Sequence, residues 1–177
     1  MLYNVELIKD ISGTHLQGLA VVAHQHKGDL LLVRGESYLH GCDLQIKYGN
    51  SQFLLLENRG PDGQSVQITR AQWRDPFGNK TQHDDNLKDF LEEFGYPIMI
   101  DVSGLSDLQS LIGREILGAR AICYGIAELG VMVQLQQAHL FYWVDGDEGF
   151  FGWSDQPRWI LDRGYELGRS LNDSLAK

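Results

Sequence analysis

The chain is poor in the residues that staple a fold, anchor it in a membrane or attract polyanions. Its two cysteines, Cys42 and Cys123, stand far apart with no Cys-x-x-Cys pair. That spacing excludes a disulfide framework and fits two free thiols in a reducing compartment. No apolar segment approaches the roughly 20 residues that span a bilayer. The opening MLYNVELIKD lacks the basic stretch and apolar run of a signal peptide. A cytoplasmic protein is therefore expected. Basic residues are outnumbered, 15 Lys and Arg against 24 Asp and Glu, for a net charge of −9. Such a charge repels nucleic-acid phosphates and anionic lipid, so neither is expected as a partner, whereas a basic protein would be steered toward it.

Familiar catalytic signatures are missing as well. There is no Gly-x-Ser-x-Gly elbow, no phosphate loop of the GxxxxGK[ST] kind, and no strand–GxGxxG–helix unit. Cys123 sits in an apolar strand, and Cys42 has only His40 as a local base. No catalytic residue is assigned.

What is present is bulk and alternation. The 177 residues are 43% hydrophobic and 10% aromatic, enough for one domain with a sizeable core. The best-patterned stretch runs from Leu111 to Trp153 and reads as an antiparallel meander. Its strands are Ile116 to Tyr124, Val131 to Gln136 and His139 to Val144, with Phe150 to Trp153 as an edge. Val131, Val133 and Leu135 share one face with Leu140, Tyr142 and Val144 on the next strand. The opposite face mixes Gln134 and Gln136 with Phe141 and Trp143, which suits a docked helix or a binding surface.

The part before the meander is also β-rich, over about residues 1–70. Leu2 to Ile8 alternates, with Tyr3, Val5 and Leu7 expected inward. Hairpins follow around Lys27-Gly28 and Gly49-Asn50, and Ser65 to Thr69 returns as a strand after the turn Arg59 to Gly63. Residues 72–83 read as a loop carrying Trp73 and Phe77. A helix is predicted over 84–94, with Gly95 past its end, then a strand from Ile98 to Val102 and a short helical turn after Ser106. Ile160, Gly164, Leu167, Leu171 and Leu175 share one face of a C-terminal helix predicted over 156–175. No internal repeat is evident. The expected fold is a single α+β domain: a mainly antiparallel, strongly curled sheet with two helices packed on one side.

Two candidate sites emerge. Asp145, Asp147 and Glu148 sit at a hairpin tip flanked by Trp143, Phe150 and Trp153. With Trp73 from the loop, these form the aromatic-plus-acidic composition of a protein interface facing a basic partner. An inhibitor of the immunity-protein kind, neutralising a basic toxin, is the matching functional class. The alternative site is His24, His26 and His40, with Cys42 as a further ligand, because His-x-His on a strand points both imidazoles the same way, as a zinc site requires. The segment Gly18 to His26 resembles the first half of the cupin metal motif, a Gly, five residues, then His-x-His. Leu30 or Leu31 stands where that motif has its acid, and its later Gly/Pro/His half is absent. Oligomeric state is not encoded in any of these features.

Overall fold

A computed structural model describes residues 1–59, 64–77 and 85–172. Its strands are β1 (Leu2–Tyr3), β2 (Leu16–His26), β3 (Asp29–Leu31), β4 (Val33–Arg34), β5 (Tyr38–His40), β6 (Cys42–Tyr48), β7 (Gln52–Asn58) and β8 (Val66–Thr69). These are followed by β9 (Tyr96–Asp101), β10 (Ile116–Tyr124), β11 (Ala127–Leu135), β12 (Ala138–Asp145), β13 (Glu148–Ser154) and β14 (Glu166–Ser170). Helices are few and short: a 3-10 segment Val5–Ile11, α1 (Asp85–Phe94), α2 (Ser106–Gln109) and α3 (Arg158–Leu161). Among the described residues no helix is long and apolar enough to cross a membrane.

The α+β class holds in this broad, strand-dominated sense, but the architecture differs from a single curled sheet. Two seven-stranded sheets share one apolar core. One runs β1-β8-β7-β6-β2-β3, with β9 also on β2; the other runs β14-β10-β11-β12-β13-β5-β4. The core takes alternate residues from both, including Leu19, Val21, Leu44 and Ile46 from the first and Val131, Val133, Leu140 and Tyr142 from the second. The meander and its inward face are therefore as the alternation predicts.

The helices do not gather on one side. Leu91 of α1 is buried, and the carbonyl of Glu92 meets His26 of the first sheet, whereas Ile160 of α3 joins the outer apolar cluster of the second. The predicted C-terminal helix ends after one turn. Gly164 has φ +87, and the chain turns there into β14, which pairs with β10. The 4-3-4-4 spacing misleads because an edge strand with one apolar residue in five imitates a helical stripe. Leu175 lies outside the described residues, as do residues 78–83 of the predicted loop. The opening strand is also corrected. Only Leu2–Tyr3 is extended, Tyr3 is 44% exposed, and the next residues form the 3-10 segment that buries Ile8 and Ile11 at its three-residue repeat.

The topology contains a repeat that the sequence conceals. β2, β6, β7, β8 and β9 take the same antiparallel order as β10, β11, β12, β13 and β14, with the fifth strand returning beside the first. Gly13, Leu16 and Gly18 recur one hundred residues on as Gly113, Ile116 and Gly118. Both leading glycines have positive φ, and both first strands shift register between the Leu or Ile and the second glycine. Buried Ile8 and Ile11 correspond to buried Leu108 and Leu111. Gly95-Tyr96, where β9 starts, answers Gly164-Tyr165 just before β14.

The two units clasp each other by reciprocal backbone hydrogen bonds. Gly13 N–H donates to Ile116 O at 2.8 Å, and Gly113 N–H to Leu16 O at 2.7 Å. Leu16 N–H reaches Arg114 O at 2.9 Å, and Ile116 N–H reaches Thr14 O at 2.8 Å. This is the pattern an approximate two-fold axis generates. Just past the end of each closing ladder, β2–β9 and β10–β14, one side chain takes the next N–H of the first strand: Leu19 N–H donates to Ser103 Oγ at 2.8 Å, and Ala119 N–H to Asn172 Oδ1 at 2.9 Å. Both Ser103→Ala and Asn172→Ala should therefore destabilise the fold by about 1–2 kcal/mol, read from urea midpoints. Two neutral substitutions would show that these bonds do not hold the units' first strands.

Candidate functional site

The outer face of the second sheet carries an aromatic cluster of its own. Because β12 alternates, Phe141 and Trp143 project away from the core that holds Leu140, Tyr142 and Val144. Two glycines make room for rings on this face. Gly130 lies opposite Trp143, where an added Cβ would stand 2.6 Å from the Trp143 Cβ. Gly152 lies opposite Phe141, where a Cβ would meet the Trp159 ring at 2.4 Å. Trp159 and Ile160 of α3 then cover Phe141 and part of Trp143, the Phe141–Trp159 centroids standing 5.1 Å apart.

Beyond the helix the rings cover one another in part, leaving Phe150 and Tyr165 half-buried. Trp143 stacks on Phe150 at 5.1 Å and lies 6.0 Å from Tyr165, while Phe150 stacks on His40 at 4.4 Å. A groove of about 480 Å³ runs over this surface, walled by Tyr38, Phe150, Tyr165 and Arg163 and edged by Asp145 and Asp162. The Arg163 guanidinium sits 3.5 Å over the Trp159 ring and 6.0 Å from that of Tyr38, and its Nη1 donates to Trp159 O at 2.9 Å. Asp145 Oδ2 accepts from the Tyr165 hydroxyl at 3.0 Å. Burial, then the Asp145 carboxylate, pushes the Tyr165 pKa up to about 12, so the phenol stays a donor. Among the described residues no cation pairs with Asp145.

The hairpin tip divides its acids between two depressions. Asp145 edges the aromatic groove, whereas Asp147 and Glu148 line a cleft of about 440 Å³ where β5 leaves the second sheet and β6 enters the first. Gly41, at φ +80, makes that change of sheet in one residue. Glu148 is bonded to His40, and the Asp147 carbonyl accepts from Asn58 Nδ2 at 2.7 Å. Recessed in the cleft, Asp43 Oδ1 accepts from Asn58 N–H at 2.8 Å and from the Tyr142 hydroxyl at 2.9 Å. Burial raises the Asp43 pKa to about 6, only partly offset by those two donors. The neighbouring Cys42 thiol is also pushed up, by burial and then by Asp43, so it is a poor nucleophile.

Of the residues singled out in the sequence, Trp143, Asp145 and Phe150 come together at one groove, where Trp143 is 4% exposed and backs the wall. Trp153 is 6% exposed and packs in the core beside Phe151, with no free face for a partner. Trp73 lies in an irregular segment over the other sheet, its backbone N–H donating to Gln45 Oε1 at 2.7 Å. The histidines have separate surroundings. His24 is exposed, His26 Nε2 meets Glu92 O at 3.0 Å, and His40 is held by Glu148 and Phe150. Among the described residues no three His, Cys, Asp or Glu side chains group where they could hold a metal ion. Tyr38, Asp162, Arg163 and Tyr165 were not legible as site residues. Tyr165 carries one signal, the Gly-Tyr pair it shares with Gly95-Tyr96. Compared with known protein families, with curated proteins and with solved structures, the chain matches none.

Asp43 sets a pH dependence whose sign is fixed. Its folded pKa lies above the ordinary value of about 3.9, so the native state holds the proton more tightly than the unfolded chain. The stability it contributes is complete below pH ~4 and lost as pH rises through about 6. Asp43→Asn should therefore raise stability at pH 8 by about 1–3 kcal/mol and change little at pH 4. Urea unfolding at the two pH values reads the difference, and an equal effect at both would remove Asp43 as its source.

Proposed function

We propose that this chain is an acidic interaction protein that binds a basic protein partner through the aromatic groove beside the Asp145–Glu148 hairpin tip. The observation that carries the reading is a carboxylate, Asp145, standing without a cation at the edge of a groove walled by the half-buried rings of Tyr38, Phe150 and Tyr165. Large aromatic anchors with a charged rim supply the desolvated centre and the steering periphery that protein recognition uses. The net charge of −9 acts in the same direction at long range. Within that reading, the functional class is an immunity-type inhibitor that neutralises a basic toxin.

Retention of a basic partner on the immobilised chain should weaken steeply between low salt and about 0.5 M salt, where screening shortens the reach of charge to a few Å. Replacing Asp145, Asp147 and Glu148 together by Lys should abolish that retention and slow association, with the thermal melt little changed because all three side chains are exposed. Identical retention by the wild type and the charge-reversed protein would place the interface elsewhere.

A further inference from the structure

We propose that the groove takes an arginine side chain of the partner, in preference to a lysine; this rests on the basic-partner reading and specifies its chemistry. The aromatic face already holds a guanidinium, that of Arg163, at 3.5 Å over Trp159. Arg163 is fixed there by its bond to Trp159 O, which keeps its charge against one wall. Phe150 is stacked on both faces, by His40 and by Trp143, so the half-buried rings of Tyr38 and Tyr165 are the ones that offer surface to a planar cation. Two carboxylates edge the groove against that one guanidinium. Asp162 is already engaged by Arg158 at 3.2 Å, so the open charge is Asp145.

Asp145 is suited to a forked donor. The Tyr165 hydroxyl bonds Oδ2 and orients the carboxylate, while Oδ1 has no hydrogen-bond partner among the described residues. A guanidinium can stack on an aromatic face and still direct N–H groups in its plane at a carboxylate edge. An ammonium is a compact, strongly hydrated point charge. It gains from the ring faces but cannot stack flat or present a planar fork, and it gives up more hydration to enter an aromatic groove.

The test uses acetylated, amidated tetra-arginine and tetra-lysine peptides, which carry equal side-chain charge. Each is titrated into the intact ¹⁵N-labelled chain while the indole N–H signals of Trp143 and Trp159 are followed. Tetra-arginine should move both signals and bind at least about fivefold tighter than tetra-lysine. Asp145→Asn should remove most of that difference, as should Tyr38→Ala. If Tyr38→Ala fails to fold, the exposed Asp145→Asn carries the test alone. Equal affinities for the two peptides at the same signals would overturn the arginine preference and leave the basic-partner reading standing. Peptide binding that leaves both indoles unmoved would overturn it too. Should salt-sensitive retention of a partner also survive charge reversal at Asp145, Asp147 and Glu148, the reading beneath it would fall as well.

Discussion

Four backbone hydrogen bonds between Gly13–Leu16 and Gly113–Ile116 are the constraint on which the structure depends. They join the entrance of the first strand of one sheet to the entrance of the first strand of the other. Once these are tied, the inward faces of β2 and β10 must converge, and the alternation of every neighbouring strand then delivers one shared core. The positive φ of Gly13 and Gly113 lets the chain make the same turn twice. Ser103 and Asn172 serve the same purpose at the ends of the β9 and β14 ladders with different chemistry, since a hydroxyl and an amide carbonyl can each accept the freed N–H.

The outward faces are where the two units part company. Gln45 is buried on the first sheet and bonded to the Trp73 backbone, so polar groups and an irregular segment close that face. Its counterpart on the second sheet is Met132, which joins the cluster of Phe141, Trp143 and Ile160. One short helix cannot cover so many rings, and the uncovered part becomes the groove. A site is thus left by the mismatch between the aromatic area of a sheet face and the length of the helix docked on it.

The second departure from symmetry lies between the first two strands of each unit. The second unit turns tightly from Tyr124 to Ala127, whereas the first inserts β3, which stays on β2, and then β4 and β5, of which β5 crosses over to pair with β13. That crossing brings Asp43 of one sheet against Tyr142 of the other in a polar contact between otherwise apolar layers. The insertion also places His40 against Phe150 and Glu148, so it buttresses one side of the hairpin tip from which Asp145 projects.

Much of this was legible in the residues. Period-two alternation from Ile116 to Val144 fixed the strands, the turns and the inward set, because a strand's two faces are decided by its own covalent geometry. The same alternation put Trp143 and Phe150 on the outer face and three acids at the hairpin tip. The repeat stayed hidden because a shared fold needs only matching burial and a few glycines; Ile8 and Leu108, or Ser103 and Asn172, fill the same place without sharing identity. Tertiary structure alone decided that β14 is a strand, since its extended form is supported by hydrogen bonds to β10, fifty residues away in mean position, and not by its own pattern. It also decided which aromatics remain outside. Trp153 and Trp143 look alike in sequence, but one faces the opposing sheet and the other faces a helix too short to hide the groove beside it.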